Sequence, residues 1–356
     1  MKIGIVTYHR TLNYGACLQA IATRVVLEKL GNEVYYLDYW PDYHSLKYKS
    51  ISFKRLKYIS FLGGIKYILD SLKYYKYRKE RMNNFTPFFE KYINRYCCSI
   101  NEEFDVIIYG SDQIWRKQVE LKDYNPVYFG MNNFRTKRHI AYSASMGILP
   151  TSKKDKEKVK MLVSHMDKIG VREENLKELL VGLGFDNTQM TLDPTLLLDK
   201  NEWINIIPTK TPINFKYMLL YSIGDSAFDV DKIRGYAKNH GCELVVLSGT
   251  AKQESTKLLY MTEGPDTFLD LIKHAESIFT SSFHGLAFSI IFEKEFFASY
   301  YKNSNRAETL LSGVGIKDRI LPPHSDIPSL PALDYNRIKE KLCSLRNNSL
   351  SYLKEL

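Results

Sequence analysis

The sequence predicts an α/β protein built from two Rossmann-like domains in tandem. Short apolar strand patterns alternate with helical patterns along the chain, which is typical of parallel sheets covered by helices. The alternation is interrupted by a proline-bearing stretch, residues 205–216, and then restarts. The chain has 356 residues, whereas a single hydrophobic core stops growing at roughly 250–300 residues. Two domains joined by a linker at 205–216 are therefore expected.

The first predicted domain, residues 1–204, opens with a βαβ unit. The strand "KIGIVTY" is followed by a helical pattern over Cys17–Leu30, which Gly31 closes, and then by the strand "EVYYLDY". Four later strand patterns and two helical patterns continue the alternation. They are "FDVIIYG", "RHIAYSA", "KIGV" and "NTQMTLDP", with helices over Ser152–Met166 and Glu173–Leu183. This order predicts a doubly wound sheet.

The second predicted domain, residues 217–333, repeats the pattern. Its strands are "YMLLYSI", "CELVVLS", "SIFTS" and "EFFAS", and its helices cover Asp229–Asn239, Asp266–His274 and Phe283–Phe292. A last helical pattern, residues 334–356, follows a proline-rich loop that is able to return it to the first domain. We expect this segment to pack on the first domain.

Lysines interleaved with aromatic residues fill much of a predicted helical insertion at residues 43–100. Lys plus Arg number 50 against 40 Asp plus Glu, and much of the excess lies here. One interpretation is a pair of surface helices whose aromatics pack on the body of the protein while the lysines are solvated. A second is a face that contacts an anionic membrane or a lipid-linked acceptor. Nucleic-acid binding is not expected, because no recognised motif accompanies the charge.

Composition and residue spacing also predict the location of the protein, the state of its cysteines and whether it binds a metal. No apolar segment approaches the ~20 residues needed to cross a bilayer, and the N-terminus reads as a strand, so a cytoplasmic location is expected. The five cysteines show no CxxC spacing, which favours reduced thiols. No cluster of His, Asp or Glu has ligand spacing, so no metal is expected.

Four strand-to-helix loops are the candidates for function, because ligands of open α/β sheets lie beyond the carboxyl ends of the strands. Thr11–Gly15 offers backbone amides for an anion or a sugar hydroxyl. Gly110–Trp115 combines a carboxylate, an amide and an indole, which suit a sugar ring. Tyr142–Gly147 offers hydroxyls on a turn of small residues. Alternatively, Asp112, Ser143 and Ser145 serve only as helix caps or turn residues.

The fourth loop lies in "FTSSFHGLAFSI", which places His284 in the predicted first turn of a helix. A lone histidine is ordinarily a satisfied core residue. Here, however, a helix N-terminus favours a bound anion, and an imidazole that gains its proton as a phosphate arrives is suited to general acid catalysis.

Taken in order, several motifs resemble the polysaccharide pyruvyl transferase family. They are "GSDQIW", "YSASMG", "VREEN", "LDPTLLL", "GPDTFLDLIKHAESIFTSSFHGLAFSIIFEKEFF" and "NSNRAETLL", and they span nearly the whole chain. The resemblance implies a glycosyltransferase B-like architecture, with two Rossmann-like domains facing across a cleft. It also implies transfer of pyruvate from phosphoenolpyruvate to a sugar of a cell-surface polysaccharide, such as an exopolysaccharide, or its precursor, as a ketal.

With phosphoenolpyruvate as the implied donor, the chemistry of ketal formation suggests roles for the loop residues. His284 is the expected acid, and Asp112 the base or orienting group for the acceptor. Many members carry an arginine where this chain has Ser282, so other cations are expected on the donor. The expected donor-binding residues are Ser281, Ser282, Gly285, Arg306, Arg172 and Lys302, and the expected acceptor-binding residues are Asn13, Tyr14, Gly15, Ser111, Gln113, Trp115, Ser143 and Ser145.

Two other functions remain open from the sequence. One is a nucleotide-sugar-dependent glycosyltransferase of the same architecture, and the other is a non-catalytic glycan- or polyanion-binding protein. For the pyruvyl transferase, phosphoenolpyruvate is a co-substrate and no cofactor is expected. The expected partners are a sugar or lipid-linked oligosaccharide acceptor and a peripheral contact with the anionic inner face of the membrane.

Overall fold

The structure is a computed structural model that describes residues 1–45, 52–53, 56, 60–208, 213–223, 227–248, 259–260, 262–302 and 304–356. It divides the chain into two compact units. Unit 1 comprises Met1–Leu12, Ala16–Leu197 and Asn348–Leu356, and unit 2 comprises Asn13–Gly15 and Leu198–Asn347. Each unit contains one parallel sheet with helices, so the predicted α/β class with two Rossmann-like domains is confirmed.

Unit 1 is built on a seven-stranded sheet in the order β3-β2-β1-β4-β5-β6-β7. The strands are β1 Lys2–Val6, β2 Glu33–Leu37, β3 Cys97–Cys98, β4 Glu103–Tyr109, β5 Arg135–Ala144, β6 Lys168–Val171 and β7 Gln189–Met190. Every neighbouring pair is parallel. The strand order reverses between β1 and β4, so the loops that follow these two strands adjoin the switch point where such sheets bind ligands.

The helices of unit 1 follow its strands in sequence. They are α1 Tyr14–Lys29, α2 Asp42–Ser45, α3 Phe61–Lys73, α4 Tyr75–Tyr92, α5 Lys153–Val163 and α6 Glu174–Gly182. The first two residues of α1 belong to unit 2. The predicted insertion at 43–100 contains α3 and α4, while its residues 46–51, 54–55 and 57–59 lie outside the described part of the chain.

Unit 2 repeats the arrangement with a six-stranded sheet in the order β10-β9-β8-β11-β12-β13. The strands are β8 Tyr217–Ser222, β9 Glu243–Ser248, β10 Leu259–Tyr260, β11 Ser277–Thr280, β12 Glu295–Ser299 and β13 Ile320–Leu321. All pairs are again parallel. Here the order reverses between β8 and β11, so the loop after β11 adjoins the switch point.

The helices of unit 2 include one that both units share. They are α7 Lys200–Ile206, α8 Val230–Asn239, α9 Pro265–His274, α10 Phe283–Ile291, α11 Asn305–Val314 and α12 Tyr335–Lys354. The division between the units falls within α12, at Asn347 and Asn348. In the predicted linker 205–216, residues 209–212 lie outside the described residues, and α7 occupies its first two positions.

Buried apolar strands explain why each sheet forms. All six residues of β8 are buried, as are the last four of β4, because a parallel sheet covered on both faces places both sides of a strand in the core. Phe279 of β11 stacks on Phe297 of β12 with ring centroids 5.7 Å apart. Within the described residues, no helix has both the length and the apolarity that a bilayer crossing requires.

Candidate active site

The first candidate group, the histidine cluster, lies in unit 2 where β11 ends and α10 begins. It consists of Tyr14, Gly15, Ser281, Ser282, Phe283, His284 and Arg306. His284 lies in the first turn of α10 and is 6% exposed. Ser282 is the N-cap, and its Oγ accepts a hydrogen bond from the backbone N–H of Gly285 at 3.4 Å. The predicted helix start at His284 is therefore present, and Ser282 creates it.

Two glycines allow the histidine cluster to pack closely. A Cβ atom on Gly15 would lie 2.0 Å from Nδ1 and 2.7 Å from Cβ of His284. A Cβ atom on Gly285 would lie 2.3 Å from Oγ1 of Thr280. All three distances are far inside van der Waals contact, so a larger residue at Gly15 displaces the imidazole, and one at Gly285 separates α10 from β11.

Hydroxyl groups shape the turn before His284. The backbone N–H of Ser282 donates to Oγ1 of Thr280 at 3.0 Å, and the backbone N–H of Ile223 donates to Oγ of Ser281 at 3.3 Å. The second bond joins the loops after β8 and β11 at the switch point. The Ser281 hydroxyl accepts from Ile223 and the Ser282 hydroxyl accepts from Gly285, so each hydroxyl has its own hydrogen to donate to a ligand.

Arg306, at the start of α11, belongs to the same cluster. Its guanidinium carbon lies 5.5 Å from the ring centroid of Phe283, and Phe283 packs edge-on against the imidazole of His284 with centroids 5.3 Å apart. Burial raises the pKa of Tyr300 above its ordinary value, and the positive charge of Arg306 nearby acts in the opposite direction. Lys302 is exposed. Arg306 is thus the donor-binding candidate whose contacts bring it to the helix start.

The Thr11–Gly15 loop is predicted to offer backbone amides to an anion or a sugar hydroxyl, and the structure shows how its Tyr14 side chain is packed. Tyr14 is fully buried, stacks on Phe268 with centroids 4.9 Å apart, and donates its hydroxyl to the backbone oxygen of Glu263 at 3.0 Å. Asn13 is half-buried. Tyr14 is therefore a packed core residue and Gly15 lies against His284, and the acceptor-binding role of this loop stays a prediction.

The second candidate group, the carboxylate cluster, lies in unit 1 after the ends of β4, β5, β6 and β7. It consists of Ser111, Asp112, Ser145, Arg172, Glu173 and Asp193. The chain turns sharply here, with a cis peptide bond between Gly110 and Ser111 and positive φ angles of 65° at Asp112 and 49° at Ser143. The backbone N–H of Ser111 donates to Oε1 of Gln19 at 3.2 Å, which ties this turn to α1.

A buried ion pair holds the centre of the carboxylate cluster. Arg172 bonds directly to Asp193, and one of its guanidinium nitrogens lies 3.7 Å from a carboxylate oxygen of Asp112. Asp193 also accepts from the hydroxyl of Ser111 at 3.1 Å and from the backbone N–H of Thr195 at 3.0 Å. Burial and the negative charge of Asp193 raise the pKa of Tyr142 well above its ordinary value. Arg172 therefore lies in the carboxylate cluster with Asp193 and Asp112, and its donor-binding role stays a prediction.

Glu173 organises the neighbouring turn. Its Oε1 accepts from the Ser145 hydroxyl at 2.7 Å and from the backbone N–H groups of Met146 and Gly147, each at 3.1 Å. Its Oε2 is buried and has no hydrogen-bond partner among the described residues. Ser143 is also buried, and neither it nor Ser145 caps a helix, since Ser152 caps α5 and Glu173 precedes α6.

Gln113 and Trp115 have different surroundings despite their shared motif. Trp115 is fully buried, stacks on Phe129 with centroids 5.0 Å apart, and donates its indole N–H to the backbone oxygen of Tyr128 at 2.8 Å. Its ring faces are therefore unavailable to a sugar, and the predicted stacking role does not fit this placement. Asp112 and Gln113 are half-buried, and no helix begins at Asp112.

The sequence interpretation assigned no role to Glu173 or Asp193. Both stood inside quoted motifs, "VREEN" and "LDPTLLL", directly at or after strand ends. Glu173 directly follows Arg172 after the end of β6, and an acidic residue next to an arginine at a strand end is a signal of a polar cluster. No group of three or more His, Cys, Asp or Glu side chains able to hold a metal ion occurs among the residues that the structure describes.

Comparison with known proteins assigns the family. The family model for polysaccharide pyruvyl transferase matches residues 13–303. This match covers well over half of the chain, so the protein belongs to the polysaccharide pyruvyl transferase family. It is accordingly a transferase that acts on polysaccharide. The comparison with curated proteins gave no match.

Solved structures with similar folds include nucleotide-sugar enzymes. A putative UDP-N-acetylglucosamine 2-epimerase from Listeria monocytogenes has a TM-score of 0.48 at 10% identity, covering 98% of this chain and 90% of that one. The UDP-GlcNAc 2-epimerase from Neisseria meningitidis bound to UDP-GlcNAc has a TM-score of 0.43 at 11% identity, covering 100% and 93%. The spinosyn forosaminyltransferase SpnP has a TM-score of 0.37 at 14% identity, covering 98% and 94%.

Proposed function

We propose that the protein transfers pyruvate from phosphoenolpyruvate to a sugar of a cell-surface polysaccharide or its precursor and forms a pyruvate ketal. The observation that carries this proposal is the family match over residues 13–303. The histidine cluster supports it, because it joins a histidine, an arginine and a helix N-terminus at a strand end of a Rossmann-like sheet.

The histidine cluster is the proposed donor site. The first-turn amides of α10 favour an anion, and the hydroxyls of Ser281 and Ser282 retain hydrogens to donate. Arg306 supplies the cation that the phosphate or the carboxylate of the donor requires. Its contact with Phe283, next to His284, makes it the proposed substitute for the family arginine that Ser282 replaces.

The proposed chemistry begins with proton transfer to carbon. Protonated His284 donates a proton to the methylene carbon of phosphoenolpyruvate, which becomes a methyl group, and the adjacent carbon becomes electrophilic. A sugar hydroxyl attacks that carbon and loses its proton to a base. A second hydroxyl of the same sugar then attacks, the bond from carbon to the phosphate oxygen breaks, and inorganic phosphate leaves with the second hydroxyl proton. The result is a cyclic ketal.

For the acceptor hydroxyl we propose Asp112 as the base or orienting group and Gln113 as a binding partner. Both are half-buried in the Gly110–Trp115 turn, whereas Ser111 and Ser145 already donate to Asp193 and Glu173. A guanidinium nitrogen of Arg172 lies 3.7 Å from a carboxylate oxygen of Asp112 and helps to hold that side chain in place.

Ligand-induced changes in melting temperature test the proposed donor. Phosphoenolpyruvate alone is expected to stabilise the protein, by about 2.7 kcal/mol when present at 100 times Kd. Arg306→Gln is expected to lose this stabilisation, and Arg337→Gln, which removes an exposed arginine from α12, is the matched control. Asp112→Asn is expected to keep it while losing turnover.

Other ligands distinguish the other two functions. Stabilisation by UDP or GDP, without any effect of phosphoenolpyruvate, would identify a nucleotide-sugar-dependent glycosyltransferase. A glycan-binding protein would respond to neither class of ligand. Either outcome would overturn the proposed donor.

A further inference from the structure

Helix α3 exposes a continuous apolar face, which we call the α3 stripe. It consists of Leu62, Ile65, Leu69 and Leu72, whose exposed fractions are 77%, 46%, 62% and 61%. Their spacings of three, four and three residues place all four on one side of a helix, because an α-helix repeats every 3.6 residues. In the described part of the chain, no other helix presents more than one large apolar side chain that is exposed.

The opposite side of α3 is held by contacts within unit 1. Tyr67 and Ser71 are buried. The Tyr67 hydroxyl accepts from the backbone N–H of Ser52 at 2.9 Å, and the Ser71 hydroxyl accepts from Arg78 of α4 at 2.9 Å. The helix is therefore anchored through one face while the α3 stripe points outward.

Exposed lysines border the α3 stripe. Lys66 and Lys73 lie four residues after Leu62 and Leu69, so each is a neighbour of the apolar face on the helix surface. Lys76 and Lys79 are exposed in the first two turns of α4. Asp70 is the single acidic residue of α3, and it is half-buried. The surface thus combines apolar area with positive charge.

We propose that the α3 stripe docks on a membrane whose surface carries anionic phospholipids. An amphipathic helix with an apolar face and bordering lysines matches that surface, since the apolar side chains enter the acyl boundary while the lysines contact phosphate headgroups. A second copy of the chain fits less well. A two-fold interface brings the same patch of both copies together, and it would place Lys66 and Lys73 near their own counterparts.

Vesicle sedimentation of the full chain tests this proposal. Wild-type protein is expected to sediment with phosphatidylcholine vesicles that contain phosphatidylglycerol, and weakly with phosphatidylcholine alone. Leu62→Gln/Leu69→Gln/Leu72→Gln is expected to weaken binding by at least about tenfold, because three large apolar side chains no longer enter the bilayer. The matched control is Val119→Gln/Ile148→Gln/Met161→Gln, which replaces exposed apolar residues elsewhere in unit 1 and is expected to bind as wild type.

A second pair of variants tests how much the lysine charges contribute to membrane binding. Lys66→Gln/Lys73→Gln is expected to lower binding to anionic vesicles by about tenfold and to reduce its salt dependence. Lys154→Gln/Lys160→Gln removes the same charge from exposed positions on α5 and is the control. Melting curves of all variants establish that each is folded.

Three results would overturn the proposal. The first is that folded wild-type protein does not bind anionic vesicles. The second is that the triple glutamine variant binds them as tightly as wild type. The third is that wild-type protein sediments in solution as a dimer, becomes monomeric in the triple variant, and binds no vesicles, which would assign the α3 stripe to a second copy of the chain.

Discussion

At the scale of single residues, the proposed proton transfer depends on how His284 is held. Its ring lies against the backbone of Gly15 and the edge of Phe283, and the turn before it is fixed by the Ser282 cap. These contacts orient the imidazole at the start of α10. A substitution at Gly15 therefore tests the position of the imidazole, and a substitution at His284 tests its role in proton transfer.

Gly15→Ala is expected to lower turnover by about 10²-fold, because a catalytic group displaced by about 1 Å loses that much rate. The added methyl would lie 2.0 Å from Nδ1 of His284, so the imidazole has to move. Gly235→Ala is the matched control, since a Cβ atom there meets nothing within 4 Å in helix α8. Phosphate release from phosphoenolpyruvate with the acceptor glycan gives the rate. Equal rates for the two variants would show that Gly15 does not position His284.

His284→Ala is expected to lower turnover by about 10²- to 10⁴-fold, the usual share of general acid catalysis. His284→Gln retains a hydrogen-bond donor but no transferable proton, so it is expected to recover donor affinity and not rate. The comparison needs turnover at saturating donor and the melting shift with phosphoenolpyruvate. Near wild-type turnover in the glutamine variant would reduce His284 to a binding or structural residue.

At the scale of elements, the carboxyl ends of β4, β5 and β6 carry a connected polar network. The pair of Arg172 and Asp193 joins the ends of β6 and β7, and Ser111 links it to β4. Because the network is buried, its charged and polar side chains need one another as partners to offset the free-energy cost of leaving water. The network is thus a framework that holds the Asp112 turn.

Asp193→Ala is expected to lower the free energy of unfolding by about 3–5 kcal/mol, because it leaves the guanidinium of Arg172 buried without its main counter-charge. Asp186→Ala, at an exposed position before β7, is the control and is expected to change stability by less than about 0.5 kcal/mol. Urea unfolding measures both. If Asp193→Ala loses no more unfolding free energy than Asp186→Ala, the ion pair of Arg172 and Asp193 does not stabilise the loops after β6 and β7.

Several elements were predictable because their patterns are local. The strands "YMLLYSI" and "EFFAS" and the helix at His284 agree with β8, β12 and α10 within about two residues. Strands β3, β10 and β13 have two residues each, which is too short for a periodic signal. Helix α7 was missed although Asp199 and Glu202 form a capping box at its start.

The start of α1 shows where local patterns fail. The sequence predicts a helix from Cys17, whereas α1 begins at Tyr14. Tyr14 enters the helix with its ring stacked on Phe268, more than 250 residues along the chain. Such tertiary contacts override local preference. Tertiary packing also explains Trp115. Its motif predicts stacking on a sugar, whereas its burial against Phe129 makes it a core residue.

At the scale of the whole molecule, burial of ionisable groups couples stability to pH. His9, in the loop after β1, is fully buried and stacks on Tyr36. Burial, reinforced by the charge of Arg10, lowers the pKa of His9 to about 3. The unfolded chain binds a proton at His9 near pH 6.5 while the folded chain does not, so stability falls as pH decreases from that value towards 3.

His9→Phe is expected to flatten the pH dependence of unfolding below about pH 6 by up to about 1.4 kcal/mol per pH unit, which corresponds to one proton. His165→Phe, at an exposed position, is the control and is expected to keep the wild-type slope. The measurement is the free energy of urea unfolding at several pH values between 7 and 4.5. An unchanged slope in His9→Phe would indicate that His9 is protonated in the folded protein.

Transfer of label from phosphoenolpyruvate to a glycan tests the central claim most directly. Phosphoenolpyruvate labelled with ¹³C at carbon 2 is incubated with the protein and with membrane and polysaccharide fractions from a strain that lacks its gene. We predict a ¹³C signal of a ketal carbon bonded to two sugar oxygens, formed with an equal amount of phosphate and absent with His284→Ala. The claim would be contradicted if the glycans of the parent and deletion strains carry the same ketal content and the labelled carbon never enters the glycan.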